Sequence, residues 1–400
     1  MVLKKKIKVL WLASWYPSRE NNYFGIFIKK QAIAASAGCE LSVLYAQESL
    51  GNTYEIDIET SFFLQVIVYY PKSNFLFFKW MRYFKALLKG FNEIKKRAGK
   101  PELVHVHVTY PVGMMAMYLK FFHNLNFIIS EHSSFYKKWS ASKMNNHFIV
   151  KIISKICFNQ AAVTIALSEN HANILRKLNL AHCFRVIPNV VDTDIFNLPI
   201  ENRPLKKDKL RLLHVSSLYE SDKNVMGILR GVALLNRHRQ DFELHIIGNE
   251  IYHADLKKYA VSLGLLENCI TFQAFMPQTE VAQAMQSADI FILFSRIEGL
   301  PCVILEAMSV GLPIIATETG GMSEWITPET GILLNIGDEV GLCEAVNSVM
   351  DNYHQYDPSV IRSKIVEKCS VEVVGQEIVY AYEEALKQER STLKFMKIEH

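Results

Sequence analysis

The chain has 400 residues, half of them apolar, and a formal net charge of +4. This length exceeds one ordinary hydrophobic core and predicts two domains, and no apolar run is long enough to predict a membrane-spanning helix. The seven cysteines are scattered, odd in number and never in a Cys-x-x-Cys pair, which argues against a disulfide framework or a zinc site and favours a reducing cytoplasm.

Charge is divided unevenly between the two halves of the chain. Residues 1–200 contain 25 basic and 12 acidic residues, a net charge of +13, whereas residues 201–400 contain 19 basic and 28 acidic residues, a net charge of −9. A basic half joined to an acidic half predicts that one half meets an anionic surface.

The basic excess is densest at 72–100, where nine basic residues and seven aromatic residues accompany a single acid, Glu93. Helical spacing places one apolar stripe on this segment, formed by Trp80, Phe84, Leu87, Leu88 and Phe91. Such a stripe with basic flanks can lie in a lipid interface. An anionic membrane surface is therefore an expected partner, and packing of the stripe on a sheet is the alternative.

In the first half, short apolar runs alternate with helical patterns, which predicts a parallel sheet covered by helices. Strands are predicted at 7–14, 41–45, 103–108, 127–130 and 163–167, and a helix at 26–37. Ligands bind beyond the carboxyl ends of such strands. Gly25, in the loop at 15–25, and His132, just after 127–130, are therefore candidate site residues. His105 and His107 share one strand face, but no third ligand is spaced for a metal.

The second half restarts the same alternation. Strands are predicted at 210–216, 242–247, 270–272 and 290–293, helices at 225–236, 255–263, 280–287 and 337–350, and a longer helix at 371–388. Residues 197–209, polar with two prolines, predict a linker. Just before it, 192–194 reads Asp-Thr-Asp, and we interpret these aspartates as turn formers rather than metal ligands.

A strand, a tight turn and a helix are predicted around the stretch E-G-L-P-C-V-I-L-E at 298–306. Pro301 stands at the expected helix start, and Gly311 closes the helix. The N-terminus of such a helix suits a phosphate or diphosphate. Glu298 on the turn and Glu306 in the helix could accept hydrogen bonds from sugar or ribose hydroxyls. A surface turn followed by an ordinary amphipathic helix is the alternative reading.

The longer run at 295–326, S-R-I-E-G-L-P-C-V-I-L-E-A-M-S-V-G-L-P-I-I-A-T-E-T-G-G-M-S-E-W-I, resembles the donor-site signature of retaining glycosyltransferases of family 4. The resemblance implies the GT-B fold, an α/β architecture of two Rossmann-like, doubly wound parallel-sheet domains facing a central cleft. It implies an acceptor-side domain at 1–198, a donor domain at 199–371 and a last helix, about 372–400, that crosses back to the first domain.

The resemblance implies a hexosyltransferase, to which the cysteine usage adds a cytoplasmic location and the basic first half adds an expected association with the inner face of the membrane. It moves a sugar, with retention, from a nucleoside-diphosphate sugar to a hydroxyl of a sugar or lipid-linked acceptor, in cell-surface polysaccharide or glycolipid synthesis. No metal, other cofactor or nucleic-acid partner is expected. On the donor side, the resemblance implies that Glu306 binds the ribose, that Glu298 binds the sugar, and that Lys223 and the backbone N–H groups of Gly299 and Leu300 bind the diphosphate. In the first domain, it implies that Gly25 contacts donor or acceptor and that His132 positions the sugar near the reacting carbon. His107 is a further acceptor-side candidate.

One departure from the family pattern keeps alternatives open. The family places a phosphate-binding arginine a few residues before the lysine, but the segment here reads S-S-L-Y-E-S-D-K, ending at Lys223. A nucleotide-sugar epimerase or hydrolase of the same fold is one alternative. A non-catalytic sugar-nucleotide-binding subunit is the other.

Overall fold

The structure is a computed structural model that describes residues 5–133, 135–140, 148–180, 183–199, 208–265 and 269–398. The chain divides into two compact units, Met1–Val190 with Val371–His400, and Val191–Ser370. Residues 200–207 of the predicted linker lie outside the described residues. No helix in the described ranges combines the length and the apolar character needed to cross a membrane.

The boundary between the units falls at Val190, eight residues before the predicted position at 198. The segment that follows Val190 is held by the second unit. The Val191 N–H donates to the Cys369 carbonyl at 2.8 Å, and the Arg362 guanidinium donates to the carbonyls of Thr193 and Phe196 at 2.8 and 2.7 Å.

The first unit is built on a mostly parallel sheet. Its strands are β1 (Lys8–Ala13), β2 (Glu40–Ser49), β3 (Glu55–Thr60), β4 (Leu64–Pro71), β5 (Leu103–His107), β6 (Phe127–Glu131), β7 (Thr164–Ala166) and β8 (Phe184–Val186). They pair in the order β3-β4-β2-β1-β5-β6-β7-β8, and the edge strand β3 runs antiparallel to β4. The sequence analysis did not predict this hairpin: β3 is charged, largely exposed and without an apolar run, and the apolar run of β4 is missing from the predicted strands.

Helices cover both faces of this sheet. They are α1 (Ile26–Ser36), α2 (Leu76–Ala98), α3 (Gly113–His123), α4 (Phe135–Ser140), α5 (Phe148–Gln160) and α6 (Glu169–Lys177), joined from the far end of the chain by α14 (Val371–Ile398). The helices α2, α3 and α5 pack on one core, whereas α1 and α14 contact each other on the opposite core. The last helix thus belongs to the first unit.

The second unit is a parallel sheet with its own core. Its strands are β9 (Leu210–Val215), β10 (Phe242–Ile247), β11 (Ile270–Gln273), β12 (Ile290–Leu293), β13 (Ile314–Thr317) and β14 (Gly331–Leu334), in the order β11-β10-β9-β12-β13-β14. Its helices are α7 (Glu220–Lys223), α8 (Val225–Leu235), α9 (His253–Ser262), α10 (Gln278–Ser287), α11 (Cys302–Ser309), α12 (Glu339–Asp351) and α13 (Pro358–Cys369). Both units are therefore α/β layers of the doubly wound kind.

The aromatic stripe of α2 packs on the sheet and does not face outward. Leu87 and Phe91 are buried, and Trp80, Phe84 and Leu88 are half-buried against the same core. The prediction that this stripe contacts lipid is therefore wrong, because the stripe is the face that the sheet covers. The apolar residues that stay exposed lie instead at the N-terminal end of the helix.

The packing of α2 predicts opposite outcomes for two apolar truncations. Leu87 is fully buried, so Leu87→Ala should lower the free energy of unfolding by about 2–5 kcal/mol. Phe77 lies on the exposed end of the same helix, so Phe77→Ala should change it by less than about 0.5 kcal/mol. Urea unfolding followed by circular dichroism measures both. Similar losses for the two variants would contradict the assigned packing.

Candidate active site

The turn that carries Glu298 is clamped by the loop after β13. Gly320 adopts φ +64°, and a Cβ there would lie only 1.9 Å from the Gly299 carbonyl oxygen. Gly321 N–H donates to that same oxygen at 2.8 Å. The Thr319 hydroxyl lies 3.4 Å from the Glu298 N–H and accepts from it. Gly320 has to be glycine because two stretches of backbone touch at this point.

Lys223 and Glu298 form an ion pair, with Nζ 2.6 Å from Oε1. Their side chains are only 20% and 8% exposed. Lys223 is the last residue of the short helix α7, so it is a held and partnered cation, not a solvated loop lysine. Lys223 and Glu298, which were both predicted to bind the sugar donor, thus lie together although they are 75 residues apart in the sequence.

Arg296 fixes the short helix that carries Lys223. Its backbone N–H donates to the Asp222 carbonyl at 2.7 Å. Its guanidinium donates to the Glu220 carbonyl at 2.6 Å and to the Asn224 side-chain oxygen. Sequence reasoning quoted this arginine within the motif but gave it no role. The structure shows that it ties the Glu298 turn to the Lys223 helix.

The buried His214 fixes the backbone that leads into α7, the helix of Lys223. His214 Nδ1 lies 2.9 Å from the Ile292 carbonyl oxygen, which can only accept, so Nδ1 carries the proton. Nε2 then accepts from the Ser216 hydroxyl at 2.8 Å, and that hydroxyl accepts from the Leu218 N–H. Burial lowers the pKa of His214 to about 4; the bond to Ile292 opposes the shift and the nearby Lys223 charge adds to it.

The remaining donor-side candidates follow Glu298 directly. Gly299 and Leu300 complete the turn, and Leu300 is buried. Pro301 precedes the first residue of α11, whose first turn contains no acid, so the positive end of the helix dipole is not offset there. Glu306 is a buried carboxylate inside this helix. The structure therefore places Glu298, Gly299, Leu300 and Glu306 on one turn and the helix that continues it.

In the first unit, a buried glutamate fixes the backbone around His132. Glu131 ends β6, and its Oε1 accepts from the N–H groups of His132 and Ser133, both at 2.9 Å. Its Oε2 accepts from the Thr109 N–H at 3.0 Å and the Thr109 hydroxyl at 2.7 Å. Burial raises the pKa of Glu131, although these four bonds oppose the shift. Sequence reasoning gave this carboxylate no role, yet it ties the ends of β5 and β6 together.

His132 pairs with His107 through their rings. His107 Nδ1 lies 3.3 Å from His132 Nε2, and the two rings are nearly parallel. Burial lowers the pKa of His132 to about 3 and holds that of His107 well below its usual value, so both rings are neutral. His132 Nδ1 and His107 Nε2 are buried without a hydrogen-bond partner. A neutral imidazole with one unpaired nitrogen can orient a hydroxyl group.

His105 belongs to a separate, closed chain of hydrogen bonds. Trp11 Nε1–H donates to the Tyr382 oxygen at 2.8 Å, which directs the tyrosine proton to His105 Nδ1 at 3.0 Å. His105 Nε2–H then donates to the Ser130 hydroxyl at 2.7 Å. Tyr382 comes from α14, so the last helix supplies a buried support for β5 that the sequence pattern did not indicate.

Gly25 has a structural reason to be glycine. It adopts φ +72°, and a Cβ there would lie 2.6 Å from the Trp15 carbonyl carbon. Gly25 precedes α1, and Phe27 in the first turn of that helix has its ring centroid 4.9 Å from that of His132. The start of α1 thus lies beside the histidine pair, while contact of Gly25 with a donor diphosphate stays a prediction.

The Asp-Thr-Asp segment forms a turn. Asp192 Oδ1 accepts from the N–H groups of Asp194 and Ile195 at 3.2 and 3.1 Å, which is the geometry of an aspartate turn. Within the ranges that the structure describes, no three His, Cys, Asp or Glu side chains are grouped so as to hold a metal ion.

Two family models match this chain and together span most of it. Residues 31–195 match the family described as Glycosyltransferase Family 4, and residues 209–352 match Glycosyl transferases group 1. The chain belongs to the family 4 glycosyltransferases. The first match contains the His107–His132 pair and the second contains Lys223, Glu298 and Glu306.

Known relatives of this family 4 chain include biosynthetic glycosyltransferases. The amylovoran biosynthesis glycosyltransferase AmsK of Erwinia amylovora is 31% identical over 199 residues, 48% of this chain and 47% of the relative. The Vi polysaccharide biosynthesis protein VipC/TviE of Salmonella typhi is 34% identical over 128 residues, 32% of this chain and 22% of the relative. This chain thus spans about half or less of the length of these relatives.

Solved structures agree on the fold. HepE of Anabaena, crystallised in complex with UDP, matches 94% of this chain and 100% of its own, with a TM-score of 0.71 at 15% identity. At that identity the likeness concerns the fold alone. The fold of this family 4 chain is GT-B, as the sequence predicted.

The neutral state of His214 predicts a pH dependence of stability. Its pKa is lowered on folding, so the unfolded chain binds more protons below about pH 6.5, and stability should fall as pH drops from there toward pH 4. In His214→Asn, the slope of the free energy of unfolding against pH should be shallower in this window by up to about 1.4 kcal/mol per pH unit. Urea unfolding at pH 7, 6 and 5 measures the slope. Equal slopes in both proteins would refute the assignment.

Proposed function

We propose that this chain transfers a sugar from a nucleoside-diphosphate sugar to an acceptor hydroxyl with retention of anomeric configuration. The observation that carries the proposal is the Lys223–Glu298 pair beside the N-terminus of α11. A lysine and a helix N-terminus suit a diphosphate, and an adjacent carboxylate suits sugar hydroxyls. HepE, of the same fold, binds a nucleoside diphosphate.

The proposed reaction requires stabilisation of its leaving group, the nucleoside diphosphate. The bond between the anomeric carbon and the diphosphate oxygen breaks, and its electron pair stays on the diphosphate. The acceptor oxygen bonds to the same carbon on the same face and passes its proton to the departing diphosphate oxygen. Lys223 and the N–H groups of Gly299 and Leu300 would stabilise the growing negative charge. Glu298 would hold the sugar hydroxyls, and Glu306 the ribose hydroxyls.

The first unit would supply the acceptor side. Its His132, held by Glu131 and His107, would position the sugar near the reacting carbon, and Gly25 would lie against donor or acceptor. The acceptor would be a sugar or a lipid-linked sugar at the cytoplasmic face of an anionic membrane. A role in cell-surface polysaccharide or glycolipid synthesis is supported by the names of the relatives.

The proposal is tested by incubating the full chain with a panel of nucleoside-diphosphate sugars and acceptors, with products read by mass spectrometry. Acceptor-dependent transfer, unchanged by EDTA, is expected. Donor consumption without any acceptor would indicate an epimerase or hydrolase. Donor binding without turnover would indicate a non-catalytic subunit, the reading that the missing arginine favours. Activity lost in EDTA and restored by manganese would overturn the metal-independent mechanism.

Replacing the buried carboxylate of α11 should weaken donor binding. Glu306→Gln exchanges a charged acceptor of two ribose hydroxyls for an amide, and charge-assisted hydrogen bonds contribute about 1.5–3 kcal/mol. We expect the dissociation constant for the donor nucleotide to rise about ten- to a hundred-fold in calorimetry. Glu344→Gln, an exposed carboxylate on α12, is the matched control and should bind normally. Unchanged binding by Glu306→Gln would remove the residue from the site.

The histidine pair should act as one unit in turnover. His132→Ala should lower kcat far more than it weakens nucleotide binding, because the residue lies in the first unit. His107→Phe should lower kcat through loss of the 3.3 Å contact with His132. In the double variant the His107 change should add almost nothing. Fully additive losses, with unchanged melting temperatures, would show that His107 does not act through His132.

A further inference from the structure

His171 is a third imidazole of the first unit that has a buried ring nitrogen without a partner. Its Nε2 makes no hydrogen bond, which is also true of His107 Nε2 and His132 Nδ1. Burial lowers the pKa of His171 to about 4, so this ring is neutral as the other two are. The roles proposed above for His107 and His132 do not involve it.

The topology of the sheet brings the three histidines to one edge. The strands β5, β6 and β7 are neighbours and run parallel, so their carboxyl ends lie side by side. His107 is the last residue of β5, His132 follows β6, and His171 lies in the first turn of α6, which follows β7. Ser168 fixes that turn, because its Oγ accepts from the His171 N–H at 3.1 Å.

The rings of His132 and His171 are close enough to influence each other. Burial is the main reason that the pKa of His132 falls to about 3, and the electrostatic influence of His171 adds to the fall. His132 Nε2 is 3.3 Å from His107 Nδ1 on the β5 side. Nδ1 is therefore the His132 nitrogen that is left for the β7 side, where His171 lies.

The contact between His107 and His132 determines what their free nitrogens can do. A neutral imidazole has one N–H donor and one bare nitrogen that accepts. In the 3.3 Å contact one ring donates and the other accepts. If His107 donates, His132 Nδ1 keeps its proton and is a donor; if His132 donates, its Nδ1 is an acceptor. In both cases the pair is left with one donor and one acceptor.

The chemistry of this edge favours an uncharged ligand that forms hydrogen bonds. Among the described residues these rings form no cluster that could hold a metal ion. The buried carboxylate of Glu131 adjoins His132 and disfavours an anion, and its oxygens already accept four hydrogen bonds, so it is not free to pair with a cation. A sugar hydroxyl both donates and accepts, which matches neutral rings that can do either.

We infer that His171 binds a sugar hydroxyl through Nε2, beside the sugar contact of His132. The inference rests on the proposed sugar transfer, to which it adds a residue that determines specificity. The hydroxyl belongs to the transferred sugar or to the acceptor, because both meet at the reacting carbon. A sugar without this hydroxyl would leave the buried nitrogen unpaired and would be a poorer substrate.

Three substitutions separate the role of the nitrogen from that of the ring. His171→Gln places an amide nitrogen near the position of Nε2, His171→Asn places one near Nδ1, and His171→Phe keeps a ring without nitrogen. With the donor and acceptor found by mass spectrometry, His171→Phe and His171→Asn should lower kcat/KM about three- to ten-fold, the effect of one hydrogen bond between neutral groups. His171→Gln should recover most of this loss. Donor nucleotide binding and melting temperature should not change.

Deoxy sugars test whether the loss comes from one hydroxyl. With a single deoxy donor or deoxy acceptor, His171→Phe and the parent chain should have equal kcat/KM, and the sugar that gives this result identifies the source of the hydroxyl. A loss of the same size with every deoxy sugar, or equal kcat/KM for His171→Gln and His171→Asn, would indicate a structural role or an ordered water and would overturn the inference.

His123→Phe is the matched control. His123 ends α3 four residues before β6 begins, so it lies at the opposite edge of the sheet from His132. This variant should keep the parent kcat/KM with every sugar. A loss equal to that of His171→Phe would show that any buried ring change in this unit impairs turnover, which would also overturn the inference.

A binding measurement keeps the inference separate from the transferase activity. If the full chain transfers no sugar, it is labelled with 15N in its histidine rings and titrated with methyl glucoside, methyl galactoside and methyl mannoside. A saturable shift of the His171 Nε2 resonance would support the inference although the proposed function had failed. No shift with any of the three glycosides would overturn the inference as well.

Discussion

The nearly buried ion pair of Lys223 and Glu298 is the interaction on which the second unit's site depends. Both charges are largely withdrawn from water, so removing either partner would leave an uncompensated charge at a cost of about 3–5 kcal/mol. The ion pair depends on separate contacts that fix each of its two residues. Arg296 and the His214–Ser216 bonds fix the lysine side, and the loop of Gly320 fixes the glutamate side.

The first unit also buries a carboxylate, but it stabilises this group without an ion pair. Glu131 is buried and receives four hydrogen bonds from backbone and hydroxyl donors, so it needs no cation nearby. His105 is satisfied within a chain that ends on Ser130. The neighbouring pair keeps one unsatisfied ring nitrogen on each of His107 and His132, and His171 Nε2 on α6 is likewise buried without a partner. In a buried polar network the unsatisfied atoms are the ones with capacity left for a ligand.

Local pattern was enough to predict nine of the parallel strands, the turn-and-helix motif and the aspartate turn at Asp192, but it did not indicate the parallel strands β4, β8, β13 and β14. It could not supply pairings between distant segments. Lys223 and Glu298 are 75 residues apart, and His105 and Tyr382 are 277 residues apart. No periodicity in either segment encodes its partner. The pattern also cannot say why Gly25 is a glycine, because the reason is the backbone of Trp15 folded against it.

The helices of the first unit show where amphipathic reasoning fails. In α2 the apolar stripe contrasts with a basic side, and the contrast identifies the side that the sheet buries. The sequence analysis expected the same stripe to face lipid and kept packing on the sheet as the alternative, and the alternative is the arrangement that the structure shows. In α3 and α5 there is little contrast to read, because both sides are apolar. Sheet packing then uses one side and leaves the other exposed, so the helices with the weaker pattern carry exposed apolar side chains such as Phe122 on α3 and Ile149 on α5.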